Sequence, residues 1–463
     1  MIGNVDGIDN DHLQGWAFDE ANPDAKVELD IYYNGMRFTS ATAGFPRDDL
    51  AQANVGDGAH GFVVALPALV EPEDAEVEVR VAGSEHQIGE TRGIRRLPSC
   101  SPDGILAEEM LRLHSLPLHS IQGFSFDGEK LVVTGMHLPP DGNPFLLAVR
   151  STPGTHITLK YPILSPAVAQ RYWYWPNARW STFQVEIDLA ASTASEEESD
   201  HFEFWFESDG SGLQTDRVLA RNRVWIPKDM GTYLTFPGGD QLTRVHSFDS
   251  NRRVALAGYN DFRHIEVIAE RYGVDLAPSA VLDWGCGHGR MIRHFAALNR
   301  VAEAWGVDID SENVAWLQEH DPSVRATVVP LTPPTDLPDH HFDLVYGISV
   351  MTHLTRDVQK VWLEELRRIT KPGGLVLLTF CGQSSVAFAS AVLGRTWLDG
   401  WLESGFDDTV GSADLLGKIG DDEYYRNTKQ SLEMTAEFWG EYFTVEAIHE
   451  CMFGYQDLAI LRA

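Results

Sequence analysis

Cysteine and positive charge are what this chain has least of. Its 4 cysteines in 463 residues, Cys100, Cys286, Cys381 and Cys451, stand far apart and form no Cys-x-x-Cys pair. That spacing argues against a structural zinc site or a disulfide framework and points to reduced thiols. Lys and Arg number 36 against 68 Asp and Glu, a formal net charge of -32. Such a field repels phosphate backbones and anionic lipid, and no basic patch offsets it, so nucleic acid is not an expected partner. No apolar run approaches the roughly 20 residues of a membrane-spanning helix. The opening Met1-Ile2-Gly3-Asn4-Val5-Asp6-Gly7 lacks the basic and apolar regions of a secretory signal, so the expected location is cytoplasmic.

A chain of 463 residues exceeds what one hydrophobic core usually serves, so several domains are expected. Val27, Leu29, Ile31 and Tyr33 alternate with polar neighbours, Asn34-Gly35 supplies a tight hairpin turn, and Met36 and Phe38 continue beyond it. Val77, Val79 and Val81 repeat the alternation. One wet face and one dry face predict a β-sandwich over 1–97. A helical connector over 98–117 follows, with Ile105, Leu106, Met110 and Leu111 at helical spacing after a stretch rich in Pro, Ser and Arg. Period-two alternation returns at Phe183, Val185 and Ile187 and at Phe202, Phe204 and Phe206, predicting a second β-sandwich over 118–235. The acidic 190–200 segment reads as a solvated loop.

From 240 to 463 strands alternate with helical segments, the mark of a parallel sheet covered by helices. Strands are predicted at 281–283, 305–308, 326–329, 344–347 and 375–380, and a terminal hairpin joins 443–451 to 458–461 through a turn near Gly454. Met291, Phe295 and Leu298 share one helical face, as do Val358, Val361, Trp362, Leu366 and Ile369 before the Lys371-Pro372-Gly373-Gly374 stop. This part is expected to be a doubly wound α/β fold.

Its first strand runs into Asp283-Trp284-Gly285-Cys286-Gly287-His288-Gly289-Arg290. Glycines there let the backbone pass close to a ligand, and the following helix turns its N–H groups and dipole toward the same place. A nucleotide-like ligand is expected at the strand ends. The dinucleotide fingerprint fails, because it needs a glycine where Arg290 stands. Gly306-Val307-Asp308 closes the next strand, roughly 20 residues on, where such a site needs an acid for a ribose diol. A carboxylate accepts from both hydroxyls.

These residues resemble the Asp-x-Gly-x-Gly-x-Gly loop of class I S-adenosylmethionine-dependent methyltransferases, and the resemblance extends over about 244–463. Phe342-Asp343-Leu344-Val345 with Ser349-Val350-Met351-Thr352-His353-Leu354 resembles that family's fourth strand and trailing loop. The 363–377 stretch resembles its helix and fifth strand, and 454–461 its antiparallel last strand. The resemblance implies a Rossmann-like, seven-stranded domain with S-adenosyl-L-methionine as cofactor. It implies cofactor contacts from Asp283, Gly285, Cys286, Gly287, Gly289, Asp308, Ile309 and Ser349, with Asp283 near the amino end and Asp308 on the ribose hydroxyls.

Methyl transfer from a sulfonium has an activated leaving group, so the protein supplies alignment and a path for the acceptor's proton. His353 is the candidate catalytic base, because related small-molecule and sugar O-methyltransferases carry a histidine just past the fourth strand, and an imidazole titrates in the useful range. The competing reading is a structural imidazole at the start of the next helix. Tyr259 and Arg263, before the glycine loop, and Tyr424, Tyr425 and Arg426, in the long 381–430 insert, are candidates for the acceptor pocket or else surface residues. His340 and His341, with Asp308 and Asp310, make a poor metal site, since neighbours in an extended segment point to opposite sides; no metal is expected.

Gly15-Trp16-Ala17, Arg47-Asp48-Asp49-Leu50 and Gly58-Ala59-His60-Gly61-Phe62 resemble a β-sandwich module fused to bacterial surface-polysaccharide enzymes. Tyr172-Trp173-Tyr174-Trp175 and Trp180 offer flat faces that stack on pyranose rings, or else pack in a core. With the methyltransferase resemblance, the expected function is O-methylation of a carbohydrate acceptor in surface-polysaccharide biosynthesis, in association with polysaccharide-assembly enzymes. The alternatives are another small-molecule or phosphate-bearing acceptor, and a glycan-binding scaffold with an inactive methyltransferase fold.

Overall fold

The alternating segments are strands in the computed structural model, which describes all residues except 10–11, 34, 66–74, 95–106, 114–117, 127–128, 139–146, 166, 169–171, 176–177, 190, 193–200, 209–222, 229–234, 240–241, 243–250, 394, 413–420 and 422. The start of the expected connector, most of the acidic 190–200 segment and Cys100 lie outside the described residues. The chain divides into two compact units. One is Met1–Leu111 with Pro140–Leu146 and Tyr161–Thr182; the other is Arg112–Pro139 with Leu147–Lys160 and Phe183–Ala463.

In the first unit, Ile2–Asp9, His12–Phe18 and Gly61–Ala65 form a 3-stranded sheet. Met36–Ala43, Val27–Tyr33, Ala75–Val81 and Arg92–Ile94 form a 4-stranded one, in that order. All described pairings in both are antiparallel. Val5, Leu13 and Phe62 from the first sheet and Leu29, Ile31, Val77 and Val79 from the second share one buried cluster. The Gly15 position is structural, since a Cβ there would lie 2.4 Å from the Asn4 carbonyl oxygen and 2.5 Å from the Phe62 ring. Arg47 is held by ion pairs with Asp6 and Asp49. Tyr172, Tyr174 and Trp175 are buried, so those three rings present no open stacking face.

The second β region has a 4-stranded sheet, ordered His156–Ile163, Thr182–Asp188, Lys130–Leu138, Leu118–Phe126, and a 3-stranded one, ordered Leu147–Ser151, His201–Ser208, Arg223–Pro227. Phe183 and Phe206, one from each, meet with ring centroids 4.5 Å apart, and His119 stacks on Phe183.

The rest of the second unit is built on one 7-stranded sheet. Its strands are β1 (Ala280–Trp284), β2 (Glu303–Asp308), β3 (Arg325–Val328), β4 (Phe342–Gly347), β5 (Thr370–Phe380), β6 (Thr444–Phe453) and β7 (Gln456–Arg462). They lie in the order β3-β2-β1-β4-β5-β7-β6. β1 to β5 are mutually parallel, and β7 runs antiparallel to both β5 and β6. Helix α1 (Asn251–Arg271) covers one face, its Phe262, Ile265 and Ile268 packing with Val281, Leu344 and Leu375. Helix α4, preceded by α2 (Ile292–Ala297) and α3 (Ser311–His320), spans Arg356–Ile369 and covers the other face. There Trp362, Leu363 and Leu366 pack with Leu282, Val345 and Val376. Successive strand residues therefore enter opposite cores, which is why the central strands read as unbroken apolar runs.

Helix α1 also closes a sheet edge. Arg223–Pro227 is the last strand of its sheet, and an open edge leaves backbone groups without partners. The buried Asn260 side chain supplies them. Its Oδ1 accepts from the Trp225 N–H at 2.8 Å, and its Nδ2 donates to the Trp225 carbonyl at 2.9 Å and to the Leu256 carbonyl at 2.9 Å. Asn260→Ala is expected to lower the unfolding free energy by about 1–3 kcal/mol through the stranded Trp225 groups. A denaturant melt unchanged from the parent would show that the edge finds other partners.

Candidate cofactor and acceptor site

The turn after β1 needs glycine. Gly285, Gly287 and Gly289 have φ of 79, 54 and 82°, a region costly for other residues. A Cβ on Gly285 would stand 2.4 Å from Val350 Cγ2, and one on Gly289 2.8 Å from Leu317 Cδ1. The loop is pinned to the end of β2, where the Gly285 and Cys286 N–H groups donate to the Val307 carbonyl at 2.8 and 3.0 Å. Asp308 completes the link: its Oδ2 accepts from the Gly287 N–H at 2.7 Å and its Oδ1 from the Asp310 N–H at 2.8 Å. Asp310 in turn caps α3 by accepting from the Glu312 and Asn313 N–H groups.

An open cleft of about 530 Å³, mouth included, lies beside this loop along the carboxyl ends of β1, β2 and β4. The structure brings Gly285, Asp308, Ile309, Ser349, Tyr424 and Tyr425 together in its lining. Asp283, on β1 just before the loop, is fully buried. Burial lifts Asp283 to about 7, against the pull of the Arg290 charge and the Tyr346 hydroxyl. Burial likewise lifts Asp308 to about 6, opposed by the N–H donors of Asp310 and Gly287. Cys286 is buried against Gly306, and its thiol is pushed up by the same desolvation, so it is packing and not a nucleophile. His288 is held neutral, lowered to about 3 by burial and the Arg290 and Arg293 charges.

The insert after β5 supplies the far wall. It carries α5 (Gln383–Leu393) and α6 (Arg395–Ser404) and ends at α7 (Leu432–Gly440). Before α7 its backbone is laced to the loop after β4 and the end of β5: Arg426 N–H to the His353 carbonyl, Thr428 N–H to the Thr352 carbonyl, and Gln430 N–H to the Cys381 carbonyl. The Tyr424 hydroxyl and the Trp362 indole both donate to the Leu331 carbonyl, at 2.5 and 3.0 Å.

His353 does not itself line the cleft. Its ring stacks on Tyr425, centroids 4.1 Å apart and 10° from coplanar, and its Nδ1 is 2.9 Å from the Arg426 carbonyl oxygen. A carbonyl only accepts, so Nδ1 carries the proton and Nε2 is the basic nitrogen.

Tyr259 and Arg263 are not at the cleft. Tyr259 faces the α1 core beside Phe262, and Arg263 pairs with the buried Glu266 while lying over Trp225. Both follow from the helix stripe, which turns these positions inward toward the core and the neighbouring β region. His340 and His341 part company as expected of neighbours, His340 toward the Thr370 carbonyl and His341 toward Glu303. Sequence reasoning missed Trp284, Val329, Val350, Leu354 and Trp362 as cleft residues. Trp362 had the helical spacing of a core residue, and burial and lining are compatible for so large a ring.

Residues 281–374 match the family described as a methyltransferase domain. Together with the strand order and the glycine loop, that decides the class. This is a class I, S-adenosylmethionine-dependent methyltransferase domain. The ubiquinone biosynthesis O-methyltransferase of Maricaulis maris is 31% identical over 131 residues, 27% of this chain and 49% of the relative. That of Rhodopseudomonas palustris is also 31% identical over 131 residues, covering 27% and 48%. The chain spans about half the length of these curated relatives. A solved S-adenosylmethionine-dependent methyltransferase from Mesorhizobium loti aligns over 45% of this chain and 98% of its own, with 13% identity and a TM-score of 0.31.

The residues present in the methyltransferase domain fit its cofactor: a cradle at Gly285 that any Cβ would fill, a half-buried carboxylate at Asp308 on the rim, and the buried Asp283 carboxylate on the strand that leads into the loop. Asp283 and Asp308 are easier to protonate in the folded protein than in the unfolded chain. Their stabilising contribution is thus full below about pH 4 and is lost as pH rises through about 6 and about 7. A ligand diol donating to Asp308 favours the ionised form. S-adenosylhomocysteine affinity, measured by calorimetry, is therefore expected to weaken as pH falls through about 7 and about 6, by about tenfold per pH unit for each carboxylate, and to level off above about 7. Asp308→Asn is expected to weaken binding and remove the part of the slope below about 6; a parent affinity flat from pH 5 to 6 would remove Asp308 from the site.

Proposed function

We propose that this protein transfers a methyl group from S-adenosylmethionine to an oxygen of a small-molecule acceptor. The observation that carries the reading is the Asp308 carboxylate 2.7 Å from the Gly287 N–H, at the rim of a cleft whose floor only glycine permits. The cofactor supplies an electrophilic methyl on a sulfonium. Gly285, Gly287, Ile309 and Ser349 position it, Asp308 takes the ribose hydroxyls, and the buried Asp283 favours the cationic end. The apolar and aromatic walls, Trp284, Val350, Trp362 and Tyr425 among them, exclude water from the reacting centre. His353, fixed in the tautomer with a basic Nε2 and held flat on Tyr425, takes the acceptor's proton.

The acceptor in this reading is a carbohydrate hydroxyl, and the setting is surface-polysaccharide assembly in the cytoplasm. Support comes from the N-terminal motifs: Gly15 lies in one of two antiparallel sheets that share a buried cluster, and Arg47 and His60 stand just before a short helix and a strand beside them.

Incubation with methyl-labelled cofactor and a panel of oligosaccharides, nucleotide sugars and aromatic ring compounds tests the assignment. Label on a sugar supports it; label on an aromatic ring instead overturns the carbohydrate reading. No S-adenosylhomocysteine binding by calorimetry would favour a scaffold role. His353→Ala is expected to cut turnover by roughly 10²- to 10⁴-fold with cofactor affinity nearly unchanged. Unaltered turnover in that variant takes His353 out of the reaction.

A further inference from the structure

A second cavity, of about 830 Å³ with its mouth, opens within the same compact unit. The edge strand Leu118–Phe126, Arg223, the first half of α1 and the β6–β7 turn converge on it. That turn lies at the carboxyl edge of the parallel strands, because Asp457 at the start of β7 pairs with Phe380 at the end of β5. The glycine loop opens on the same edge. Two contacts run from one lining to a residue beside the other. Gln456, two residues past Gly454 in the cavity lining, meets Ser349 of the cleft through hydrogen bonds of 2.7 and 3.0 Å. Asp261, also in the lining, pairs with Arg290, the residue after Gly289. Helix α1 runs so near the loop that a Cβ on Gly258 would stand 2.4 Å from the Arg290 carbonyl oxygen.

The lining restricts what fits. Its charges are already matched, Arg223 with Glu203 and Asp261 with Arg290, so no surplus charge waits for a phosphate, carboxylate or ammonium. Planar faces come from Phe124, Phe453 and the imidazole of His264. Flat apolar faces among matched polar groups suit a ring with an apolar face and a rim of hydroxyls.

We propose that this cavity, walled jointly by the second β region and the methyltransferase domain, holds the methyl acceptor, and that the acceptor presents an uncharged pyranose there. The inference rests on the methyl-transfer reading above. It makes the second β region part of the acceptor site.

Saturation-transfer NMR on the full chain tests it, with common methyl pyranosides as probes, glucose 1-phosphate and catechol as contrasts, and S-adenosylhomocysteine titrated by calorimetry into the same samples. Pyranoside binding is expected, weakened about tenfold or more by Ala257→Trp, which fills the cavity from α1, and about fivefold by Phe124→Ala. Cofactor-product affinity is expected to stay within about twofold in each variant. Thermal melts confirm folding, and either folded variant suffices. No pyranoside signal, a signal that the folded variants leave unchanged, or a preference for the sugar phosphate or catechol overturns the proposal. S-adenosylhomocysteine binding without pyranoside binding overturns this inference alone, whereas absence of S-adenosylhomocysteine binding overturns the methyl-transfer reading and the acceptor role with it.

Discussion

The contact on which the site depends is the one between the Asp308 carboxylate and the Gly287 N–H. It fixes two things at once. A carboxylate at the end of β2 reaches back to the loop after β1, so the loop's curvature and the acid's orientation are set by the same bond. The parallel register of β1 on β2, Trp284 beside Val307, makes that reach short. Both oxygens of Asp308 already accept backbone N–H groups, yet the group remains harder to ionise than a free carboxylate because it lies in a low-dielectric rim. Donors from a ligand thus find an acceptor whose charge is incompletely satisfied, which is the condition for a strong interaction without reorganisation.

The insert shows a different economy of design. Its strap is attached chiefly through main-chain bonds, from Arg426, Thr428 and Gln430 to the loop after β4 and the end of β5. Buried side chains add to the lacing, the Thr428 hydroxyl donating to the Leu354 carbonyl and the Gln430 amide oxygen accepting from Gln359. The neighbouring positions supply rings: Tyr424 locked to the Leu331 carbonyl and Tyr425 backed by His353. The loop after β3 and the wall of the cleft are therefore held by one pair of donors, the Tyr424 hydroxyl and the Trp362 indole.

The central strands of the α/β part were legible because each is a short apolar run bounded by turn residues. The predicted 281–283 and 305–308 fall inside β1 and β2, and Gly454, with φ of 66°, makes the terminal turn. The glycine loop and Asp308 were legible because their spacing is dictated by backbone geometry. What periodicity does not contain is which large side chain faces a cleft and which a core. Tyr259 and Trp362 both sit at helical spacing, and one is core while the other borders the cleft. The Tyr172 to Trp175 cluster shows the same ambiguity, since aromatic residues serve as packing and as stacking platforms with identical sequence signatures.

Helix α1 concentrates the consequences of the whole arrangement. One of its faces buries Phe262 and Ile265 on the sheet, Asn260 seals the open strand at Trp225, and Asp261 pairs with Arg290 beyond the glycine loop. At Gly258 its backbone approaches the Arg290 carbonyl as closely as the absence of a side chain allows. The edge of the β region and the exit of the glycine loop are thus fixed to the same stretch of one helix, and because packed interiors leave little slack, that helix sets the distance between them.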